Sequence, residues 1–171
     1  TATSSTLSAG TGGINITANT SGVTLENTTL NSGGAITLQG GSTTAATTLA
    51  GVAFNNATLT ATGAVQITGR SIDDGVRIQG SANTFTGSSV TVAGTTIGST
   101  AYGVNLDGAT LGGDGVLSVT GDSGMSAGVR LNSASLTRST GNVTLNAPTG
   151  GTVVSASSVQ ATAGTLAISG T

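Results

Sequence analysis

The chain has 171 residues, a formal net charge of −2 and 6% charged residues, against roughly 25% in an average soluble domain. It contains no histidine, cysteine or lysine, which excludes Cys and His nucleophiles, zinc sites of the usual ligand set, Schiff-base chemistry and the P-loop. The charge gives no basic field for nucleic acid or anionic lipid, and no apolar run approaches the ~20 residues that span a bilayer. We therefore expect no nucleic-acid partner, no membrane insertion, no metal and no cofactor.

Short runs of alternating apolar and polar residues, separated by glycine, fill the chain. Such alternation is typical of β-strands, and the abundant Thr, Ser and Gly are poor helix formers. Hydrophobic residues make up 36% of the chain, which argues against a disordered low-complexity tail. The sequence therefore predicts an all-β fold.

Two motifs alternate from the amino to the carboxyl end. The first reads GVxL, a polar pair and a small-x-Leu tail, and its clear copies occupy residues 22–30, 51–59, 103–111 and 128–136. Degenerate copies begin at Gly75 and Gly151. The second motif reads GxVxI, and its first apolar residue is Ile14, Ile36, Val65, Val90, Leu117, Val143 or Leu166.

The spacing of these motifs predicts the architecture. Successive copies lie about 25 residues apart, inside the range typical of solenoids, too short for a propeller blade and without a helix. We predict a right-handed single-stranded parallel β-helix (β-solenoid) of about 6–7 coils with roughly 25 residues each. It forms one segment over residues 1–171, which we interpret as an internal fragment of a longer repetitive protein.

Stacking of the coils would build the core. Each coil should lie about 4.8 Å above the last, with equivalent residues in columns. Because one coil cannot bury its own apolar face, the end coils should leave unpaired strand edges, and we expect end-to-end stacking. The inward residues predicted for four regular coils are Val23, Leu25, Leu30, Ile36, Leu38, Val52, Phe54, Leu59, Val65, Ile67, Val104, Leu106, Leu111, Leu117, Val119, Val129, Leu131, Leu136, Val143 and Leu145.

The corners carry turn residues. The polar pairs Glu26-Asn27, Asn55-Asn56, Asp107-Gly108 and Asn132-Ser133 suit the left-handed conformation and predict a structural polar ladder. The glycine before each strand is expected to supply a positive φ. Pro148 is expected in a corner, where its missing N–H costs little.

The connection from the second motif to the next coil varies in length. Insertions at 39–50, 68–74, 93–102 and 120–127 therefore fall on one edge, where recognition gathers in repeat proteins. Each segment carries one apolar residue, which we expect to fold back onto the stack as an anchor. These residues are Leu49, Ile72, Ile97 and Met125.

Candidate ligand-contact residues also lie on this edge. The densest charge cluster consists of Arg70, Asp73, Asp74 and Arg77. It is either a ligand-contacting patch, a carboxylate pair for acid–base chemistry, or a solvated loop with weak ion pairs. Arg77 has Asn105 and Arg130 as its equivalents in later coils, so we expect no arginine ladder. The candidates are Arg70, Asp73, Asp74, Arg77, Tyr102 and Asp122.

Two weaker hypotheses concern modification and metal. Oxygen-rich loops at Asp107, Asp114 and Asp122 are the only places where Ca²⁺ could bind, and the calcium-type sequence LGGDGVLSV occurs once. N-x-Ser/Thr sequons occur at Asn15, Asn19, Asn27, Asn56 and Asn142.

The tandem GVxLxxATL and GGxITL units resemble the repeat region of filamentous-haemagglutinin-type exoproteins, the large secreted adhesins of bacterial two-partner secretion. The resemblance covers essentially the whole chain and is compositional and periodic. It implies a right-handed parallel β-helix, an outer-membrane secretion partner and a secreted or cell-surface location.

We therefore expect a non-catalytic stalk or filament segment of a bacterial adhesin. Two alternatives stay open. In the first, the chain is itself a binding module that contacts a host-cell or bacterial surface glycan or protein through the variable loop edge. A β-helical polysaccharide-acting enzyme would need carboxylates and aromatic platforms, for which one tyrosine and one adjacent acidic pair are a thin supply.

Overall fold

The computed structural model describes residues 1–41 and 49–171. Strands follow one another in triplets, and each triplet is one coil of a solenoid. Coils 1 to 3 comprise β1 (Ala2–Thr3), β2 (Thr6–Ala9), β3 (Ile14–Ala18), β4 (Val23–Glu26), β5 (Thr29–Ser32), β6 (Ile36–Gly40), β7 (Val52–Asn55), β8 (Thr58–Ala61) and β9 (Ala64–Ser71). Coils 4 and 5 comprise β10 (Val76–Gln79), β11 (Thr84–Thr86), β12 (Ser89–Thr96), β13 (Val104–Asp107), β14 (Thr110–Gly112) and β15 (Leu117–Ser123). Coils 6 and 7 comprise β16 (Val129–Asn132), β17 (Ser135–Arg138), β18 (Val143–Thr149), β19 (Thr152–Ser155), β20 (Ser158–Ala161) and β21 (Leu166–Gly170).

Three seven-stranded sheets form the walls of the solenoid, and each coil contributes one strand to each sheet. The first sheet begins with β1, the second with β2 and the third with β3, and neighbouring strands in each are parallel. Val76 lies between Val52 and Val104 in the first sheet, as the repeat predicts. The seven levels of strands are joined by about 6 turns of roughly 25 residues each. This confirms the predicted all-β parallel solenoid. Its right-handed coiling stays a prediction.

The core fills the space between the three sheets. All twenty predicted inward residues are buried, because successive side chains of a strand point to opposite faces and the apolar set faces inward. Phe54 and Phe85 fill adjacent levels with their ring centroids 4.8 Å apart. No helix long and apolar enough to cross a membrane is found in the described ranges.

The turn between the first and second sheets has the predicted chemistry. Its second residue adopts a positive φ in successive coils, as in Asn27 (47°), Asn56 (53°) and Ser133 (51°). Side chains also bond along the stack: Asn56 Nδ2 donates to Asn27 Oδ1 at 3.3 Å, and Asn132 Nδ2 donates to Asp107 Oδ1 at 2.9 Å. The polar turn ladder is therefore confirmed for these pairs.

The glycines before the first-sheet strands have a different role from the predicted one. Gly51, Gly75, Gly103 and Gly128 do not have positive φ values, so that expectation was wrong for them. They allow close backbone approach instead: a Cβ on Gly75 would lie 2.6 Å from the Gly103 carbonyl oxygen.

A second glycine column faces the first across the corner where the third sheet meets the first. It consists of Gly40, Gly69, Gly94 and Gly121, which lie in register in the third sheet. A Cβ on any of them would overlap the carbonyl oxygen of a glycine in the first column. The corner therefore depends on backbone-to-backbone packing that no side chain can enter.

Two further expectations were wrong in position. Pro148 is not in a corner but in β18, at a register shift opposite Thr120–Asp122, where a bulge tolerates the missing N–H. The predicted insertions also begin too early, and most of the first one (residues 42–48 of the segment 39–50) lies outside the described residues. Residues 68–71, 93–96 and 120–123 continue the third-sheet strands as paired β-structure, so the variable loops start after them.

Candidate functional site

Buried hydroxyls fix the start of the variable loops. Ser71, Thr96 and Ser123 occupy the last inward position of β9, β12 and β15. Each donates to a loop carbonyl of the preceding coil, as in Thr96 Oγ1 to Ile72 O (3.5 Å) and Ser123 Oγ to Ala101 O (3.3 Å). Each also accepts a backbone N–H two or three residues further on. The loop edge is therefore anchored by hydrogen bonds between coils.

Asp74 is the centre of a polar cluster beside the first sheet. Its carboxylate is buried and accepts two hydrogen bonds from later coils: Tyr102 N donates to Oδ1 at 2.8 Å and Asn105 Nδ2 to Oδ2 at 2.9 Å. Arg77 Nε lies 3.6 Å from the same Oδ2. The carboxylate therefore ties the loop before β10 to the two coils that follow.

Asn105 extends this cluster to the next coil. The first-sheet register places it between Arg77 and Arg130, which confirms that no arginine ladder forms there. Asn105 Oδ1 accepts from Arg130 Nη1 at 2.9 Å. The Arg130 guanidinium also lies 5.4 Å from the centroid of the Tyr102 ring, within cation–π range. We use the name polar cluster for Asp73, Asp74, Arg77, Tyr102, Asn105 and Arg130.

The arrangement of the acidic pair suits a structural role better than acid–base chemistry. Asp73 forms an ion pair with Arg77 at the partly exposed rim, where such pairs contribute about 0–1 kcal/mol. Asp74 has both oxygens occupied by donors of the protein. A general base must be within hydrogen-bond reach of a substrate proton, and Asp74 is buried beneath its partners.

Arg70 and Asp122 lie outside the polar cluster. They belong to one outward column of the third sheet, with Thr95 between them. Asp122 Oδ1 accepts from Thr149 Oγ1. Arg70 lines a shallow groove with Gln39 and Thr68, and it forms no ion pair within residues 1–41 and 49–171. The structure thus brings together Asp73, Asp74, Arg77 and Tyr102 and leaves Arg70 and Asp122 apart.

The three aspartates of the calcium hypothesis are on different parts of coil 5. Each accepts a hydrogen bond from a side chain of coil 6: Asp107 from Asn132, Asp114 from Ser139 and Asp122 from Thr149. Within the part of the chain that the structure describes, no three acidic residues converge. The carboxylates of this coil therefore act as acceptors for the next one.

The apolar loop residues are exposed, so their prediction as anchors was wrong. The exposed fraction is 62% for Leu49, 36% for Ile72, 54% for Ile97 and 78% for Met125. The inward position just before Ile72 and Ile97 is taken by Ser71 and Thr96, and alternation then directs the next side chain outward. We call these four residues the apolar row.

Sequence reasoning missed Arg138, which is fully buried at the end of β17. Its Nη1 donates to Gly112 O at 2.5 Å and to Asp114 O at 3.4 Å. Its Nε and Nη2 have no partner among the described residues. Burial lowers the pKa of the Arg138 guanidinium, and Asp114 opposes part of that change. Equivalent positions hold Ser32, Ala61 and Ala161, so only the break in a column of small residues could have signalled it.

Replacement of Arg138 by methionine should leave the protein at least as stable. A buried guanidinium with two unpartnered nitrogens keeps much of its desolvation cost, and an apolar side chain of similar length avoids it. We expect the free energy of unfolding in urea to stay the same or rise by about 1 kcal/mol. Arg138→Ala is the control that leaves a cavity. A loss of about 2 kcal/mol or more in Arg138→Met would show that the bonds to Gly112 and Asp114 outweigh desolvation.

Comparisons with known proteins give no match for this chain. No family model matches it, and no curated protein or solved structure matches it either.

Proposed function

We propose that the chain is a non-catalytic structural segment of the stalk or filament of a secreted or cell-surface bacterial adhesin. One observation supports this most directly: four aspartate side chains accept hydrogen bonds from a later coil and thereby hold the coils together. Asp74, Asp107, Asp114 and Asp122 all accept from a later coil. As part of the same proposal, an outer-membrane partner exports the protein, as the resemblance to filamentous-haemagglutinin-type repeats implies.

A solenoid of this kind suits a spacer. Each coil adds about 4.8 Å along the axis and contacts only its neighbours. The length of the solenoid can therefore change by whole coils while the fold stays the same. The apolar columns run from coil to coil without interruption in the regular part of the stack. The segment can therefore project a binding region to a distance set by the number of coils.

Removal of one whole coil tests the spacer role. Deletion of residues 76–103 joins Gly75 to Val104, and Val104 occupies the register position of Val76. We expect a folded solenoid that is shorter by about 4.8 Å and that, displayed on cells with a terminal epitope, still presents this epitope to antibody. Deletion of residues 76–89 removes half a coil and is the control, expected to unfold. Failure of the whole-coil deletion to fold would contradict the proposal.

The apolar row supports a second candidate, a binding module that contacts a glycan or protein through the loop edge. Exposed apolar side chains at similar positions in successive coils are more than a spacer needs. Cells that display the 171-residue chain would then adhere to host-cell surfaces, and Ile97→Ser with Met125→Ser would abolish adhesion. Ser99→Ala with Thr100→Ala is the matched control in the same loop. A spacer gives no adhesion in any of these forms.

A further inference from the structure

The outward face of the second sheet carries hydroxyl side chains in two adjacent columns. In coils 2 to 6, each strand of this sheet places two residues outward, on either side of a buried apolar residue. Equivalent residues of successive coils lie in register. We call the ten outward residues the threonine array: Thr29, Asn31, Thr58, Thr60, Thr84, Thr86, Thr110, Gly112, Ser135 and Thr137.

Backbone geometry sets the spacing of the array. Neighbouring coils are about 4.8 Å apart, and residues i and i+2 of one strand are about 6.6 Å apart. Both distances are close to the repeats of the oxygen atoms on a prism face of hexagonal ice. Threonine is stiff at χ1 because it is β-branched, so its hydroxyl and methyl groups hold fixed positions. The array therefore has the two-dimensional regularity that an ordered water lattice requires.

The hydroxyls of the array are available to water. Elsewhere in coil 2, the buried hydroxyls of Thr28 and Ser32 donate to backbone carbonyls, at 2.9 Å to Glu26 O and at 3.0 Å to Gly12 O. Among the residues that the structure describes, no hydroxyl of the array has a protein partner. A hydrogen bond to an ordered water is nearly as favourable as a direct one. The solenoid thus leaves this set of hydroxyls to the solvent.

The array also carries no charge. The one arginine on its strands, Arg138, is buried on the inward side. The first sheet differs, since its strands include Arg77, Asp107 and Arg130. Charged groups hold strong hydration shells of their own, which disturb a regular layer of water. The neutral array therefore matches a neutral ice surface in charge as well as in spacing.

We propose that the threonine array binds ice, through water molecules that its hydroxyl and methyl groups order. The fixed positions of these groups lower the entropy cost of binding. A chain adsorbed on a growing prism face stops growth there, so the freezing point falls below the melting point. The inference goes beyond the spacer role and does not depend on adhesion to cells.

Thermal hysteresis, the difference between the melting and freezing points of a single ice crystal, tests the proposal on the 171-residue chain. The wild type should show a difference that rises with protein concentration. Thr84→Lys places a charge at the centre of the array and should reduce the difference at least fivefold. Thr91→Lys makes the same change at an exposed position of the third sheet in the same coil and should behave as the wild type does. Circular dichroism checks that each variant is folded.

Completion of the array is a test that a loss of stability cannot imitate. Gly112 lacks the side chain that the pattern calls for, its φ is not positive, and a Cβ on it would meet nothing within 4 Å. Gly112→Thr should therefore raise the thermal hysteresis at least twofold. Gly124→Thr is the matched control, because Gly124 has the same open surroundings but lies in the loop after β15.

Three results would overturn the proposal. The first is a wild type without thermal hysteresis. The second is an equal effect of Thr84→Lys and Thr91→Lys, which would place the activity elsewhere on the solenoid. The third is adsorption of the wild type to microcrystalline cellulose without adsorption to ice, which would make the array a polysaccharide-binding face.

Discussion

Replacement of Gly94 by alanine is expected to lower the free energy of unfolding by about 3 kcal/mol. Gly94 lies in register with Gly69 and Gly121 in the third sheet. A Cβ there would overlap the Gly103 carbonyl oxygen, and it would lie 2.7 Å from the Gly103 carbonyl carbon and 2.9 Å from Val104 Cγ2. Backbone atoms cannot rotate away as the end of a side chain can. The third and first sheets must therefore separate at this corner.

Gly112→Ala provides the matched control. Gly112 also lies in a strand, its φ is not positive, and a Cβ on it would meet nothing within 4 Å. We expect a change of less than about 1 kcal/mol for this variant, measured with Gly94→Ala by urea unfolding. Equal stabilities of the two variants would contradict close backbone packing at the corner.

Replacement of Asp74 by alanine is expected to cost about 3 kcal/mol. The change removes the acceptor of the Tyr102 N–H and the Asn105 amide, which bridge the loop before β10 to coils 4 and 5. It also removes the negative partner nearest Arg77 Nε. Donors left unpaired in a buried site lose their hydrogen bonds without regaining water.

Asp73→Ala is the control for this prediction, since it removes a neighbouring carboxylate of the same charge. The Asp73 side chain is partly exposed, and its ion pair among the described residues is with Arg77, so we expect a loss of about 1 kcal/mol or less. Urea unfolding of both variants gives the comparison. If Asp73→Ala were the more destabilising change, Asp74 would not be the centre of the polar cluster.

The sequence was sufficient to predict the columns of the core. A valine or leucine that recurs about every 25 residues has few ways to be buried other than by stacking on its own repeat. The first coil was missed in part. Residues 2–9 lack the GVxL pattern, yet β1 and β2 pair with β4 and β5. Backbone hydrogen bonds continue a parallel sheet even where the side-chain motif has been lost.

The contacts of the candidate site were harder to predict because they join residues from different coils. Asp74 and Asn105 are 31 residues apart, whereas Asn105 and Arg130 are 25 apart. The mean repeat therefore does not identify which side chains meet near a loop of variable length. Arg138 was hidden for another reason: a long polar side chain in a column of small residues is placed by local space, which periodicity does not describe.

The stacking of equivalent residues is tested most directly by distances along one outward column. Asn15, Thr91, Ser118, Thr144 and Ala167 belong to one such column of the third sheet, and the chain has no native cysteine. Spin labels are placed in pairs on introduced cysteines, one at Asn15 and the other at one of the four remaining positions. Pulsed electron–electron double resonance then measures the distance between the two labels. The account predicts distances that rise by about 4.8 Å per coil, to roughly 29 Å for the pair with Ala167. Distances that do not rise linearly with coil number would contradict the solenoid.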